Sequence, residues 1–185
     1  VYKGDYFITG NGSVGTWCSD SEWEPGICDN KLSDGKITFQ SLPAGEYKFK
    51  ITEGTWTSFY GYYSNFDSSL KGYKNDFVTY TNDGDDNIVI QTSTCTNITV
   101  TFDVSTKQIS VTTENLERYV LMGVGNDWTT GNALQPNQEN TKQLVLLGQS
   151  IKRASDAVQI VHKNPCSDDI FFNTVTLETP LSFAL

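Results

Sequence analysis

Aromatic residues are concentrated where the chain is least regular. Trp17 and Trp23 share a stretch rich in Gly, Ser and Pro, and Trp56, Phe59, Tyr60, Tyr62, Tyr63 and Phe66 crowd a second one. A half-buried strand would alternate such rings with polar residues, and these stretches are too irregular for that. Flat rings on loops held by a rigid scaffold can stack on the apolar faces of sugar rings, and Tyr and Trp add a polar edge at low entropic cost. Lys48, Lys50, Asn65 and Asn87 offer donors and acceptors for sugar hydroxyls. The competing reading is that some of these rings fill a core or cover the end of a sheet.

Other chemistry finds little support. A nucleophilic triad needs a histidine base. The single histidine, His162, has no motif around it and reads as structural or exposed. No Gly-x-Ser-x-Gly, His-Glu-x-x-His or phosphate-binding loop is present. Paired carboxylates are plentiful in an acidic chain and so predict little. The expectation is a protein that is not an enzyme and uses no cofactor. The run Asp83-Gly84-Asp85-Asp86-Asn87 has oxygen ligands enough for calcium, without the spacing of an EF-hand loop. An Asp-Gly pair between strands is first of all a hairpin turn. Cys18, Cys28, Cys95 and Cys166 fit no zinc pattern. Cys18 and Cys28 flank a Trp/Pro/Gly loop that a disulfide would staple; the alternative is two free, small, buried residues. Sequons occur at Asn11 and Asn97 and matter only in a host that glycosylates.

The formal net charge is −9, and the excess is spread out: 8 basic against 14 acidic residues in 1–113, and 5 against 8 in 114–185. A dispersed acidic surface repels phosphate backbones, so nucleic acid is not expected as a partner. No apolar run approaches the length needed to span a bilayer. The chain opens at Val1 directly on strand-like sequence and reads as a mature protein or a fragment.

The elements that must position the aromatic stretches are strands. Tyr6–Thr9, Lys36–Phe39, Glu46–Ile51, Asn87–Ile90, Asn97–Phe102 and Gln108–Val111 are short alternating or β-branched runs. Turn chemistry separates them at Ser33-Asp34-Gly35, Pro43-Ala44-Gly45, Asn82-Asp83-Gly84 and Ser105-Thr106-Lys107. Only Ser150–Ala157 suggests a short helical turn. The pattern predicts an all-β protein of the β-sandwich type. An internal repeat divides it. Tyr6–Gly12 returns as Tyr119–Gly125, each followed by a tryptophan loop, and Ile37–Ile51 returns loosely as Leu144–Val161. Two modules are therefore expected, 1–113 and 117–185. After Ile160 too little chain remains to complete the second as the first is completed. It is expected to be incomplete: truncated, a smaller variant, or finished by a strand from a neighbouring chain. The apolar end Leu181–Leu185 suits a cut or exchanged strand.

The first module carries a recognisable set: Gly10-Asn11-Gly12, then Trp23-Glu24-Pro25, Leu42-Pro43-Ala44-Gly45-Glu46-Tyr47-Lys48-Phe49-Lys50, Gly54-Thr55-Trp56 with Tyr60-Gly61, Asp86-Asn87-Ile88, and Val100-Thr101-Phe102-Asp103 with Thr106-Lys107. It resembles the X25-type starch-binding module of pullulanases and is similar to the repeated modules of SusE/SusF-type outer-membrane starch-binding lipoproteins. The match covers roughly residues 5–112; the second module resembles the family more weakly, through Tyr119–Trp128 and Leu144–Val161. The resemblance implies tandem immunoglobulin-like sandwiches, secreted or displayed at the outer membrane of a Gram-negative cell, that bind α-glucan without catalysis. It implies stacking by Trp23, Trp56 and Tyr60, with Tyr62 in the same aromatic segment, and polar contacts from Lys48 or Lys50 and Asn87. The second module keeps Trp128 without a counterpart to Trp56–Tyr60, and the insert Tyr62–Tyr80 departs from the family's pattern.

Two functions thus stand side by side. One is glucan binding on loop aromatics. The other is a structural repeat of a larger surface or filament protein, its second module completed by a neighbouring chain.

Overall fold

The computed structural model describes residues 4–12, 16–18, 22–123, 132–136, 143–146, 157–172, 175–176 and 183–184. Among the described residues the regular structure is mostly strands in antiparallel sheets, with almost no helix. It divides into two compact units, Val1–Leu116 and Glu117–Leu185.

In the first unit the strands are β1 (Phe7–Gly10), β2 (Lys36–Leu42), β3 (Gly45–Thr52), β4 (Phe59–Tyr60), β5 (Val78–Asn82), β6 (Ile88–Thr92), β7 (Thr96–Asp103) and β8 (Gln108–Asn115). One sheet runs β1-β3-β6-β5, with β4 also paired to β3; the other runs β2-β7-β8. Alternation explains the placement. In β3, Tyr47, Phe49 and Ile51 are fully buried while Lys48 and Lys50 stay partly exposed. In β7, Ile98, Val100 and Phe102 are buried in the same way. These two sets, with Ile8, Ile88, Ile90, Phe39, Leu42, Ile109 and Val111, form a single core between the two sheets. Each fully buried large apolar side chain contributes about 1.5–3 kcal/mol relative to exposure.

The six sequence-predicted strands of this unit all form: β1 is shifted by one residue, and the others run one to four residues longer. Two features were not legible. β5 is a continuous strand, Val78–Asn82, that is absent from the predicted set, and Tyr62–Asn65 forms one α-helical turn (α1) inside the aromatic stretch read as loop. Trp17, read as a loop aromatic, is a core residue with no exposure, packed edge-on to Tyr47 and Phe49.

The turns behave as their residues require. Ser33 and Lys36 exchange both backbone hydrogen bonds at 2.9 Å around Asp34 and Gly35, which both have positive φ. That is the two-residue turn whose twist suits a hairpin. At the β7–β8 turn, Asp103 Oδ1 accepts from Ser105 Oγ at 2.6 Å and from the backbone N–H groups of Ser105 and Thr106.

The disulfide considered between Cys18 and Cys28 does not form: both thiols are free. Cys18 is buried beside Trp17, and Asn30 Nδ2 donates to its Sγ at 3.5 Å. Burial pushes the Cys18 thiol up to about 11. Cys28 is exposed at the head of a short 3-10 turn, Cys28–Asn30, so one sulfur faces the core and the other faces solvent. Cys95 and Cys166 are each disulfide-bonded.

In the second unit the described residues form a seven-stranded sheet. It comprises β9 (Arg118–Met122), β10 (Asn132–Pro136), β11 (Gln143–Leu146), β12 (Ala157–Lys163), β13 (Ile170–Phe171), β14 (Val175–Thr176) and β15 (Phe183–Ala184). The order is β13-β12-β9-β10-β11-β15, with β14 on β12. Chain after Ile160 thus supplies three two-residue strands, and β15 pairs with β11. His162 is fully engaged: its ring stacks on Tyr119 at 4.6 Å, and Nε2 lies 2.9 Å from Glu117 Oε2. Trp128 and 150–156 lie outside the described residues.

The Ser105 and Thr106 hydrogen bonds hold the Asp103 carboxyl down at about 2, below its ordinary 3.8. The folded state therefore gains stability from Asp103 above pH 3.8 and loses it as pH falls through about 2. Asp103→Ala is expected to melt below the wild type at pH 7, with the gap closing between pH 3.8 and about 2; a gap independent of pH in thermal melts would refute this account of the turn.

Candidate functional site

The outer face of β3 and the loops beside it enclose an open cleft of about 620 Å³. Five of the seven sequence-predicted residues line it together: Trp23, Lys48, Lys50, Trp56 and Asn87. They come from three places. β3 supplies the lysines, because the alternation that buries Tyr47 and Phe49 turns Lys48 and Lys50 outward. The β5–β6 connection supplies Asn87. Two separate loops supply the tryptophans.

The tryptophans meet because those loops touch through glycine. Gly26 and Gly54 both have positive φ, and a Cβ built on Gly26 would stand 3.0 Å from the Gly54 carbonyl oxygen. A side chain at Gly26 would push the two backbones apart by a few tenths of an ångström, on top of the strain of its positive φ. With glycine there, the Trp23 and Trp56 ring centroids lie 6.5 Å apart and their planes are tilted by 34°. Trp23 is itself held at φ +55, rare for a bulky residue, while its N–H donates to the Gly10 carbonyl at 2.7 Å. Trp56 is 43% exposed. Phe59 packs edge-on to Trp56 at 6.5 Å, and Lys50 Nζ lies 4.8 Å above the Phe59 ring. The pair therefore presents apolar ring surface to solvent from a fixed backbone.

The polar side of the cleft is a connected network. Lys48 Nζ stands between Glu46 at 3.1 Å and Asp83 at 3.6 Å. Glu46 also accepts from Gln91 Nε2 at 2.9 Å, and Asp83 from Asn87 Nδ2 at 2.9 Å. The Gln91 bond, then Lys48, hold the Glu46 carboxyl below its usual value; the Glu46 bond chiefly raises Lys48. Burial pushes Asp83 up, but the bonds from Asn87 and the Asp85 N–H, with the charge of Lys48, outweigh it and leave it lowered. All three groups stay charged at neutral pH. As a surface ion-pair set the network contributes little to stability. It does fix charged acceptors and donors next to the ring pair, where charge-assisted bonds to hydroxyls are strong.

Asn11 ties this site to the core. Its Nδ2 donates to the Glu46 carbonyl at 2.9 Å, and its Oδ1 accepts from Lys48 N–H at 2.6 Å and Trp17 Nε1 at 3.2 Å. The amide of this sequon is thus occupied on both sides.

Tyr60 and Tyr62 stand elsewhere. Tyr60 packs on Phe102 at 4.9 Å and on Tyr6, with Lys107 Nζ over the same group of rings. Its hydroxyl donates to Glu53 at 2.6 Å, and burial, then Glu53, push it up to about 12. Tyr62 is only 8% exposed and stacks on Phe66. Both cover the core, as the competing reading of the aromatic stretch allows. Glu22, Glu46, Asp83 and Asp85 also line the cleft and were not singled out as contact residues. The signal for two of them was present in the run Asp83–Asn87, which forms the β5–β6 connection with Gly84 at φ +93. Asp83 Oδ1 accepts from the Asp85 N–H at 3.1 Å and so serves the turn, whereas Asp86 Oδ1 accepts from the Tyr63 N–H at 2.6 Å and ties α1 to it. Among the described residues no group of three or more His, Cys, Asp or Glu side chains is placed to hold a metal ion.

Comparison with known proteins gives no matching family model and no matching curated protein.

The Gly26–Gly54 contact is open to a direct check. Gly72 also has positive φ but nothing near its Cβ position, so Gly72→Ala measures the backbone penalty alone. That penalty is expected to be about 1 kcal/mol. Gly26→Ala should exceed it in denaturant unfolding and should change the tryptophan fluorescence, since it pushes the two loops apart. Equal destabilisation and unchanged fluorescence would show that the contact does not set the ring pair.

Proposed function

We propose that this chain is a non-catalytic carbohydrate-binding protein and that the cleft of the first unit is its sugar site. The observation that carries the reading is the juxtaposition of a tryptophan pair, Trp56 exposed and Trp23 half-buried, with the Glu46–Lys48–Asp83–Asn87 network. Sugars offer an apolar ring face and a rim of hydroxyls, and this surface supplies a partner for each. The two sheets around one core suit an immunoglobulin-like sandwich, a scaffold that carries recognition on loops at its ends. Within this reading the ligand is an α-glucan of the maltooligosaccharide or starch type, because Trp23, Trp56, Lys48, Lys50 and Asn87, which line the cleft, are among the residues carried by the resemblance to starch-binding modules. Secretion or display at the surface of a Gram-negative cell follows from the same resemblance. Among the described residues no helix is long and apolar enough to cross a membrane.

The test is affinity electrophoresis and calorimetry against amylopectin, pullulan, dextran and xyloglucan. Retardation by an α-glucan is expected. Trp56→Ala should weaken it roughly five- to tenfold, the equivalent of about 1 kcal/mol of stacking. Trp17→Ala is not a suitable control, since that ring is in the core. A folded Trp56→Ala protein that binds as tightly as the wild type would remove the cleft from consideration.

A further inference from the structure

Helix α1 turns one tyrosine in and the next out. Tyr62 is buried, whereas Tyr63 is 55% exposed and meets Tyr62 edge-on at 5.8 Å. An exposed ring on a loop is ordinary, but this one is fixed at three points. Its N–H donates to Asp86 Oδ1 at 2.6 Å, its hydroxyl donates to Asn82 Oδ1 at 3.1 Å, and its carbonyl accepts from Lys71 Nζ at 2.9 Å. Asn82 ends β5 and Asp86 lies in the β5–β6 connection, the same connection that presents Asp83, Asp85 and Asn87 to the tryptophan cleft. The Asn82 oxygen that holds the Tyr63 hydroxyl also accepts the Gly84 N–H at 3.1 Å, inside that turn. One turn therefore carries polar groups for the cleft and anchors an exposed ring.

Stability gives little reason for this arrangement. A half-exposed ring removes little apolar area from water, and solvent-exposed hydrogen bonds contribute little net. A rigid aromatic with one wet edge is, however, a low-entropy platform for a flat ligand. Its position suits a longer one. β3 and β5 are separated by two strand spacings, about 10 Å. Tyr63 is tied to Asn82, which is in register with the core-facing Ile88 and Phe49, whereas Lys48 is in register with Val89 and Thr81 on the outer face, so the ring stands on the other side of the turn from the cleft.

We propose that Tyr63 is a second stacking platform for the same glycan, reached across the turn formed by Asn82–Asn87, so that the site grips a chain longer than the tryptophan cleft alone accommodates. This rests on the carbohydrate reading of the cleft. The insert Tyr62–Tyr80 then has a binding role: it brings a ring to the far side of the turn.

The experiment is calorimetry with linear α-1,4-glucan oligomers, a trisaccharide and a heptasaccharide, on the full chain. Tyr63→Ala should weaken the heptasaccharide about three- to tenfold and leave the trisaccharide unchanged, Tyr63→Phe should bind both as the wild type does, and Trp56→Ala should weaken both. Tyr63→Leu gives a second non-aromatic variant should the alanine protein not fold. Wild-type heptasaccharide affinity in the folded alanine or leucine protein would overturn the proposal. So would an equal loss at both lengths shared by Tyr63→Phe, which would make Tyr63 a support for the turn. Failure of the carbohydrate reading looks different: neither oligomer binds the wild type, or Trp56→Ala changes nothing, and the proposal falls with it.

Discussion

The first unit depends on the alternation of β3. This strand pairs with β1, β4 and β6, so it is the hub of its sheet. Tyr47, Phe49 and Ile51 drive its inner face into the core against Trp17, Val100 and Phe102. Because the side-chain period is two, that burial forces Lys48 and Lys50 onto the outer face, where the cleft is. A one-residue slip would bury both lysines and expose the three core residues. Stability and site geometry are therefore the same register choice. The Tyr47 hydroxyl, donating to the Pro43 carbonyl, and the Asn11 amide, bridging β3 to Trp17, pin that register from both sides.

Around this strand the cleft is built from parts with different physical origins. Its floor follows from sheet geometry. Its ring pair follows from two glycines that let loops touch, at the cost of a left-handed tryptophan backbone. Its polar groups follow from a turn whose aspartates satisfy the turn's own N–H groups as well as the cleft. None of these devices contributes much to folding on its own. Together they hold exposed apolar rings beside fixed charges, an arrangement expected of a binding surface more than of a solvated face.

The two units solve the problem of sheet edges differently. In the first, two sheets share one core, and β4 and the Lys74–Thr79 bridge add pairing at the periphery. Among the described residues the second unit forms one sheet, in which β13, β14 and β15 each contribute two residues of pairing. Short terminal strands limit the length of open edge available to another chain. Ile170, Phe171 and Phe172 nonetheless remain exposed along this sheet.

The sequence by itself determined the all-β character, six strands of the first unit, the hairpin turns and the outward pointing of Lys48 and Lys50. These depend on local chemistry: alternation, β-branching and residues that tolerate positive φ. It also held the tryptophans and Asn87 that the cleft brings together. Only the tertiary structure decided which rings face solvent. Trp17 and Tyr62 are as aromatic as Trp56 and Tyr63, with Trp23 and Tyr60 half-buried between them, and nothing in their local sequence separates a core plug from an exposed platform. That choice is made by long-range packing: Trp17 against Tyr47 and Phe49, Tyr60 on Phe102, and Tyr62 on Phe66. The same holds for Cys18 and Cys28. Their spacing permits a bridge, and the core takes one thiol while solvent keeps the other. Irregular segments lack a period from which a face can be read, so their side chains are assigned by whatever the rest of the fold leaves uncovered.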